Sequence, residues 1–191
     1  MSISSSIFLG VLALALIYGV LVYNSLVNLR HAISKAWANI DVLLKQRHDE
    51  LPKLVEVCRQ YQQFEQTTLS RVTEARARVA AAREAHDVGA LGAAESQLRL
   101  GLGQIFAVAE AYPELRANEH FKQLQTRISA LEAGIADRRE LYNDAVNLHN
   151  VRIEQFPDLI IARAFGYSEQ SLLQFSSAEK ADVDLRALFN G

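Results

Sequence analysis

Hydrophobic residues run along this chain first as one unbroken stretch and then at steps of three and four. From Met1 to Leu29 no side chain is charged, and Ile7 to Val27 is predominantly apolar. At about 1.5 Å per residue that stretch crosses a hydrocarbon core of about 30 Å, so it predicts a transmembrane helix. Leu26, Leu29, Ile33, Trp37, Ile40 and Leu44 continue at helical spacing, which makes the anchor and the first bundle helix one rod. Leu51, Leu54, Cys58, Tyr61, Leu69, Val72 and Val79 form a second stripe, with Pro52 at its start or at a kink. After His86-Asp87-Val88-Gly89, the residues Leu91, Leu98, Leu102, Ile105 and Ala109 make a third. The fourth is long: Phe121, Leu124, Ile128, Leu131, Ile135 and Tyr142, carried on by Val146, His149, Ile153 and Phe156 at heptad-like steps, with Asn143 and Asn150 beside them.

The breaks in this pattern have chemical causes. Pro113 disfavours a helical Tyr112 and donates no backbone hydrogen bond, so Tyr112 to Asn118 reads as the turn of a helical hairpin, not as an active-site loop. Asn118 is the expected N-cap of the fourth helix. Pro157 ends or bends that helix, and a short helical piece follows, closing near Gly166. Gly101 and Gly103, inside the third helix, each cost about 1 kcal/mol relative to Ala, and their expected use is close helix approach. The expected fold is all-α: an N-terminal transmembrane helix continuous with an antiparallel bundle of about four long helices. Residues 1–29 form the anchor, 30–167 the bundle and 168–191 a loose or extended tail.

Composition narrows the function classes. Of 191 residues half are apolar, and only 9 Gly and 3 Pro interrupt them. Lys and Arg number 20 against 22 Asp and Glu, for a net charge of -2, without the basic stripe that nucleic acid would require. Cys58, the only cysteine, excludes an internal disulfide and a cysteine-rich zinc site, and on an apolar face it reads as packing. A cleaved signal peptide would want a basic leader and a small-x-small cleavage site; MSISSS has no Lys or Arg, and YNSLVNLR follows the apolar run, so an uncleaved single-pass anchor is expected. Arg30, Lys35, Lys45 and Arg47 follow the span and none precedes it, which puts the bundle on the cytoplasmic side, with the periplasmic or extracellular side as the alternative.

Six blocks of the chain match a known pattern in order: YNSLV (Tyr23 to Val27), AWANIDVLLKQR (Ala36 to Arg47), LPKLVEVCRQY (Leu51 to Tyr61), AVAEAYPELRAN (Ala107 to Asn118) with Phe121, Leu124 and Gln125, RRELYNDAVNLHN (Arg138 to Asn150) and FPDLIIARAFGY (Phe156 to Tyr167). Together they resemble the LemA family. The resemblance implies a membrane-anchored, mostly antiparallel helical bundle in a bacterial inner membrane, with a role in membrane organisation or stress and no catalytic residues to carry over. His149 departs from the family pattern, which has a second Tyr-Asn there, and the tail from Ser168 matches least.

Candidate chemistry is sparse. The five histidines are scattered, none has a Glu three residues before it, and there is no His-Glu-x-x-His, so no metal and no cofactor is expected. No Gly-x-Ser-x-Gly, phosphate loop or dinucleotide fingerprint appears, and no catalytic residue is assigned. Arg71, Glu74, Arg76, Arg78, Arg83 and Glu84 read as a solvated face. Asp41, Lys45, Arg47, His48, Asp49 and Glu50 read as helical ion pairs lying in water, each stabilising by about 0.2 to 0.5 kcal/mol. The expected protein is non-enzymatic: a scaffold that self-associates at the lipid membrane, or alternatively a tethered adaptor for a peptide, a lipid or another membrane protein. Candidate interaction residues are Ala15 and Gly19 as a small-x-x-x-small pair, Ile33 and Ile40, Tyr112, Arg116 and Asn118 at the hairpin end, and Tyr142, His149 and Ile153.

Overall fold

The protein is described here by a computed structural model that covers residues 3–61 and 65–174. The elements in chain order are α1 (Ile3–Arg59), α2 (Gln66–Glu84), α3 (Val88–Glu110), α4 (Pro113–Ala117), α5 (Glu119–Glu154) and α6 (Asp158–Ala164), and no strand occurs among the described residues. The chain divides into two compact units. Among the described residues, one comprises residues 3–39 and 139–172, the other residues 40–61, 65–138 and 173–174.

In the second unit the helical spacing of the sequence becomes a buried seam. Ile40, Leu44, Leu51, Leu54 and Cys58 of α1 are buried, as are Leu69, Val72 and Val79 of α2, Leu91, Leu98, Leu102 and Ile105 of α3, and Phe121, Ile128, Leu131 and Ile135 of α5. Helix α2 packs on α3. Gly101 is the reason they come close: a methyl group there would lie 2.8 Å from Val72 Cγ2. Gly103 has open space around it and serves no such contact. Between α1 and α5, Leu43 faces Gly134 and Arg47 faces Glu132, so the two run antiparallel.

The stripe from Leu51 to Val79 is not one helix. Its first part, through Cys58, belongs to α1, which continues past Pro52 without a break in the helix, and α2 begins only at Gln66. Pro52 has no N–H for the carbonyl of His48 four residues back, a loss that normally kinks or ends a helix. Here Arg76 of α2 replaces it: Nε donates to the His48 carbonyl at 3.0 Å and Nη2 donates to His48 Nε2 at 2.7 Å. A guanidinium can only donate, so Nε2 accepts and the ring is neutral with its proton on Nδ1. Burial, and then the Arg76 charge, hold the His48 pKa below its ordinary value.

The connections are tight for local reasons. Helix α2 ends with His86 at φ 53, where His86 N–H bonds Arg83 O at 3.1 Å and Asp87 N–H bonds Ala82 O at 3.0 Å. This is the paired closure of a Schellman motif, with a histidine where glycine is usual. Asp87 then caps α3, accepting from Ala90 N–H at 2.9 Å. The Tyr112–Asn118 hairpin turn contains one helical turn, α4, whose Leu115 is buried. Asn118 caps α5, its Oδ1 accepting from His120 N–H at 2.9 Å and Phe121 N–H at 3.1 Å.

In the first unit, Val22, Leu26 and Ile33 of α1 and Tyr142, Val146 and His149 of α5 are buried, and the Trp37 and Tyr142 rings lie 5.7 Å apart. Phe156 departs from the expected stripe: α5 stops at Glu154, two residues earlier, and the Phe156 side chain is 79% exposed. Helix α6 ends at Ala164, and the turn that closes it places Gly166 at φ 71, with Tyr167 N–H bonding Ala162 O at 2.9 Å.

Candidate membrane-proximal site

Helix α1 is the one helix among the described residues that is long and apolar enough to cross a membrane. From Ile7 to Val20 its side chains stand largely free, Leu14 at 68% and Leu16 at 65% exposed, as expected of a surface made for lipid. The pattern changes at Tyr18. Val22 and Leu26 are buried with Ala162 of α6 in one small core, joined by Ile153, Ile161 and Tyr167. Gly19 leaves room for Ile161, whose Cδ1 would sit 3.7 Å from an added Cβ. The Tyr23 and Phe165 rings lie 4.7 Å apart.

A polar contact sits among these apolar ones. Tyr18 donates its hydroxyl proton to Asp158 Oδ1 at 2.6 Å, and Arg152 pairs with Asp158 Oδ2. Asp158 is the first residue of α6 and buried, so its carboxylate lies where the macrodipole favours negative charge, with the Tyr18 hydroxyl as hydrogen-bond donor and the Arg152 charge as counter-ion. No sequence signal announces this contact, because its partners are 140 residues apart.

Next along α1 is a cleft of about 340 Å³, lined by Arg30, Ile33, Ser34, His149, Tyr167 and Gln170 among others. Its floor is well defined: His149 is buried with its ring 6.1 Å from that of Tyr167, and Asn150 holds Gln170 by two bonds, one given and one received, each of 2.9 Å. The buried His149 thus belongs to a polar wall, while Tyr142 uses its hydroxyl to donate to Ser171 O at 3.1 Å. The segment beyond Ser168 has no regular structure as far as Gln174, and the part after that lies outside the described residues.

The candidate interaction residues fall into distinct surroundings. In the first unit, Ile33, Tyr142 and His149 are buried, Ile153 is half-buried, Gly19 lies against α6, and Ala15 is exposed on the apolar face. In the second unit, Ile40 is fully buried. Tyr112 and Asn118 are half-buried and Arg116 is exposed, and Asn118 Nδ2 donates to the Tyr61 hydroxyl at 3.2 Å.

Of the charged cluster late in α1, Lys45 and Asp49 are exposed as the sequence suggests, while Arg47 and Glu50 do not lie in water. In the second unit Arg47 is buried and pairs with the buried Glu95 of α3 and with Glu132 of α5. Glu50, also buried, pairs with Arg127 at 3.2 Å, and Asp41 with Arg83 at 3.5 Å. Burial works against the Arg47 charge, and the attraction of Glu95 and Glu132 outweighs it and raises its pKa. Burial in turn pushes the Glu95 pKa up, and the Arg47 charge only partly offsets this. Taking such charges out of water offsets much of what their attraction contributes to stability. Of the charges on α2 that read as a solvated face, Arg76 and Arg83 reach α1, while the Glu74–Arg78 pair, at 2.6 Å, stays exposed.

No group of three or more His, Cys, Asp or Glu side chains able to hold a metal ion occurs among the described residues. Cys58 is fully buried and burial pushes its thiol up to about 12, so it packs as a small apolar group and offers no thiolate at neutral pH.

Comparison with known proteins supports the same picture. The chain is 23% identical over 190 residues to "Magnetosome protein MamQ 2" of Paramagnetospirillum magneticum, covering 87% of this chain and 70% of the relative. It is 28% identical over 169 residues to "Protein LemA" of Metamycoplasma hominis, covering 87% and 75%. It is 22% identical over 168 residues to "Magnetosome protein MamQ" of Magnetospirillum gryphiswaldense, covering 76% and 62%. None of these names is an enzyme's, and the apolar helix together with these relatives fits a single-pass membrane protein. The LemA family model matches residues 36–186, and with that span, these relatives and an all-α fold begun by one long apolar helix, the chain belongs to the LemA family.

Proposed function

We propose that this protein is a non-enzymatic, membrane-anchored helical scaffold that associates with copies of itself and thereby organises the membrane around it. The observation that carries this reading is the grip on the root of the anchor: Tyr18, Gly19, Val22, Tyr23 and Leu26 are held by residues 153–167 in one unit. An anchor joined by a flexible linker would transmit no direction. One held on its flank leaves the membrane at an angle set by packing, and copies standing side by side would impose that angle on the bilayer. The mechanism is geometric, and it needs no catalytic residue, cofactor or nucleic acid. The charge asymmetry around the span supports a cytoplasmic bundle.

Size-exclusion chromatography with light scattering on the full-length protein, gently extracted from its membrane, tests this. A discrete large oligomer is the expected result, and a clean monomer overturns self-assembly. One observation favours a second reading, a tethered adaptor: the polar cleft between Arg30, Ser34, His149 and Gln170, which a monomer would present to a ligand.

A further inference from the structure

Helix α6 meets α1 at the level of Tyr18, Gly19, Val22, Tyr23 and Leu26. These residues belong to the final part of the apolar run Ile7 to Val27, and the first charged residue of α1, Arg30, is still ahead. From Tyr18 to Val27 the helix rises about 14 Å. A segment packed on that stretch therefore lies at the depth of the membrane boundary, not out in water, if α1 spans the bilayer as proposed above.

The composition of the segment suits that depth. Its inner side is packed: Ala162 is buried, Ile161 meets Gly19, and the one carboxylate of the segment, Asp158, is paired with the Arg152 charge and accepts a hydrogen bond from the Tyr18 hydroxyl. Hydrocarbon demands this of any polar group it surrounds. Its outer side is apolar and uncovered: Phe156 is 79%, Ile160 58% and Phe165 61% exposed. Arg163, in the last turn and exposed, has a stem long enough to carry its charge to the headgroups. In water three such side chains in a stretch of ten residues would be a liability. Continuous with the exposed apolar face of α1, they extend a lipid-facing surface sideways.

We propose that residues 156–165 are an interfacial membrane element: α6 lies in the bilayer boundary on the bundle side, with Phe156, Ile160 and Phe165 inserted among the lipid acyl chains. The occupant of this face is lipid. Elements of this kind sit about 5 to 10 Å into the boundary between headgroups and chains. One beside each anchor widens the protein within a single leaflet, which supplies the scaffold with an asymmetric wedge.

The test uses the full-length chain in vesicles of mixed neutral and anionic phospholipid. Phe156→Cys and Ile160→Cys, each carrying a fluorescent thiol label, are compared with Leu14→Cys in the exposed apolar run and Arg116→Cys on the surface of α4. Cys58 stays in place, buried and un-ionised, and the unsubstituted protein serves as the labelling control. Both test positions are exposed, so substitution removes no core. The expected result is loss of fluorescence with lipids brominated in their acyl chains and protection from aqueous iodide at Phe156 and Ile160, as at Leu14. Iodide quenching like that at Arg116 overturns the proposal. Protection from both quenchers also overturns it and assigns the face to protein, such as a second copy of the chain. Iodide quenching at Leu14 as well would remove the anchor reading itself, whereas lipid quenching at Leu14 alone would remove only the interfacial element.

Discussion

Gly101 and Gly103 sit one turn-fraction apart on α3 and look alike in the sequence, yet they meet different surroundings. A methyl group at Gly101 collides with Val72 Cγ2 at 2.8 Å, and a β-branched valine has little freedom to move aside. At Gly103 nothing lies within 4 Å. Gly103→Ala should therefore stabilise by up to about 1 kcal/mol through helix propensity. Gly101→Ala gains the same propensity term but meets an overpacking cost of about 1 to 3 kcal/mol, and should melt below Gly103→Ala. Thermal melting of the two variants decides the order; equal melting points would remove the close-approach role of Gly101. In the sequence both glycines carry the same expectation of close approach, because spacing alone does not say which side of a helix a neighbour occupies. Asn118 was legible for the opposite reason: a cap acts on amides two and three residues ahead, within reach of a purely local argument.

Helix α1 runs past Pro52 because another element supplies what proline cannot. Removing that supplier should be costly only while the proline is present. Arg76→Ala leaves the buried side of the His48 carbonyl without its donor and should destabilise by about 1 to 3 kcal/mol. In a Pro52→Ala background the restored N–H reaches the same carbonyl, and the cost of Arg76→Ala should fall to a fraction of that. Urea unfolding of the two single variants, the double variant and the parent gives the coupling; strictly additive losses would show that Arg76 does not stand in for the missing amide. Proline in the sequence announced an interruption, correctly at Pro113 and Pro157, where the chain turns. At Pro52 the same signal was overridden by a side chain from 24 positions further along, which no window on α1 alone contains.

For the molecule as a whole, the half-buried His48 and the buried Glu95 give stability opposing responses to pH. His48 has a folded pKa below its unfolded value of about 6.5, so its contribution is present above that value and is lost as pH falls through the depressed folded one. Glu95 has a folded pKa above its unfolded value of about 4.3, so its contribution is present below that value and is lost as pH rises through the raised folded one. His48→Gln keeps an acceptor for Arg76 and cannot titrate. Its melting temperature should fall less than the parent's on acidification from pH 7 into the histidine range; an unchanged pH profile would show that His48 does not carry the acid sensitivity. The membership in the LemA family was legible at this scale too, through six ordered blocks, of which all but Tyr23 to Val27 fall within the matched span of residues 36–186.

By itself the sequence determined that the chain is helical, that its first helix carries an apolar run of membrane-crossing length, where the Tyr112–Asn118 turn falls, how α5 is capped and that a short last helix closes near Gly166. Each of these depends on residues within one or two turns of one another, where periodicity, proline, glycine and side-chain caps act directly. Only the tertiary structure decided that Arg47 is buried between two carboxylates, that Arg76 mends the helix at Pro52, that Phe156 faces outward, and that Tyr18 meets Asp158 across 140 positions. An apolar stripe states that a helix has a buried face. Which polar residues at the edge of that face meet a partner depends on the register and rotation of two helices, and those are set by packing between segments distant in sequence.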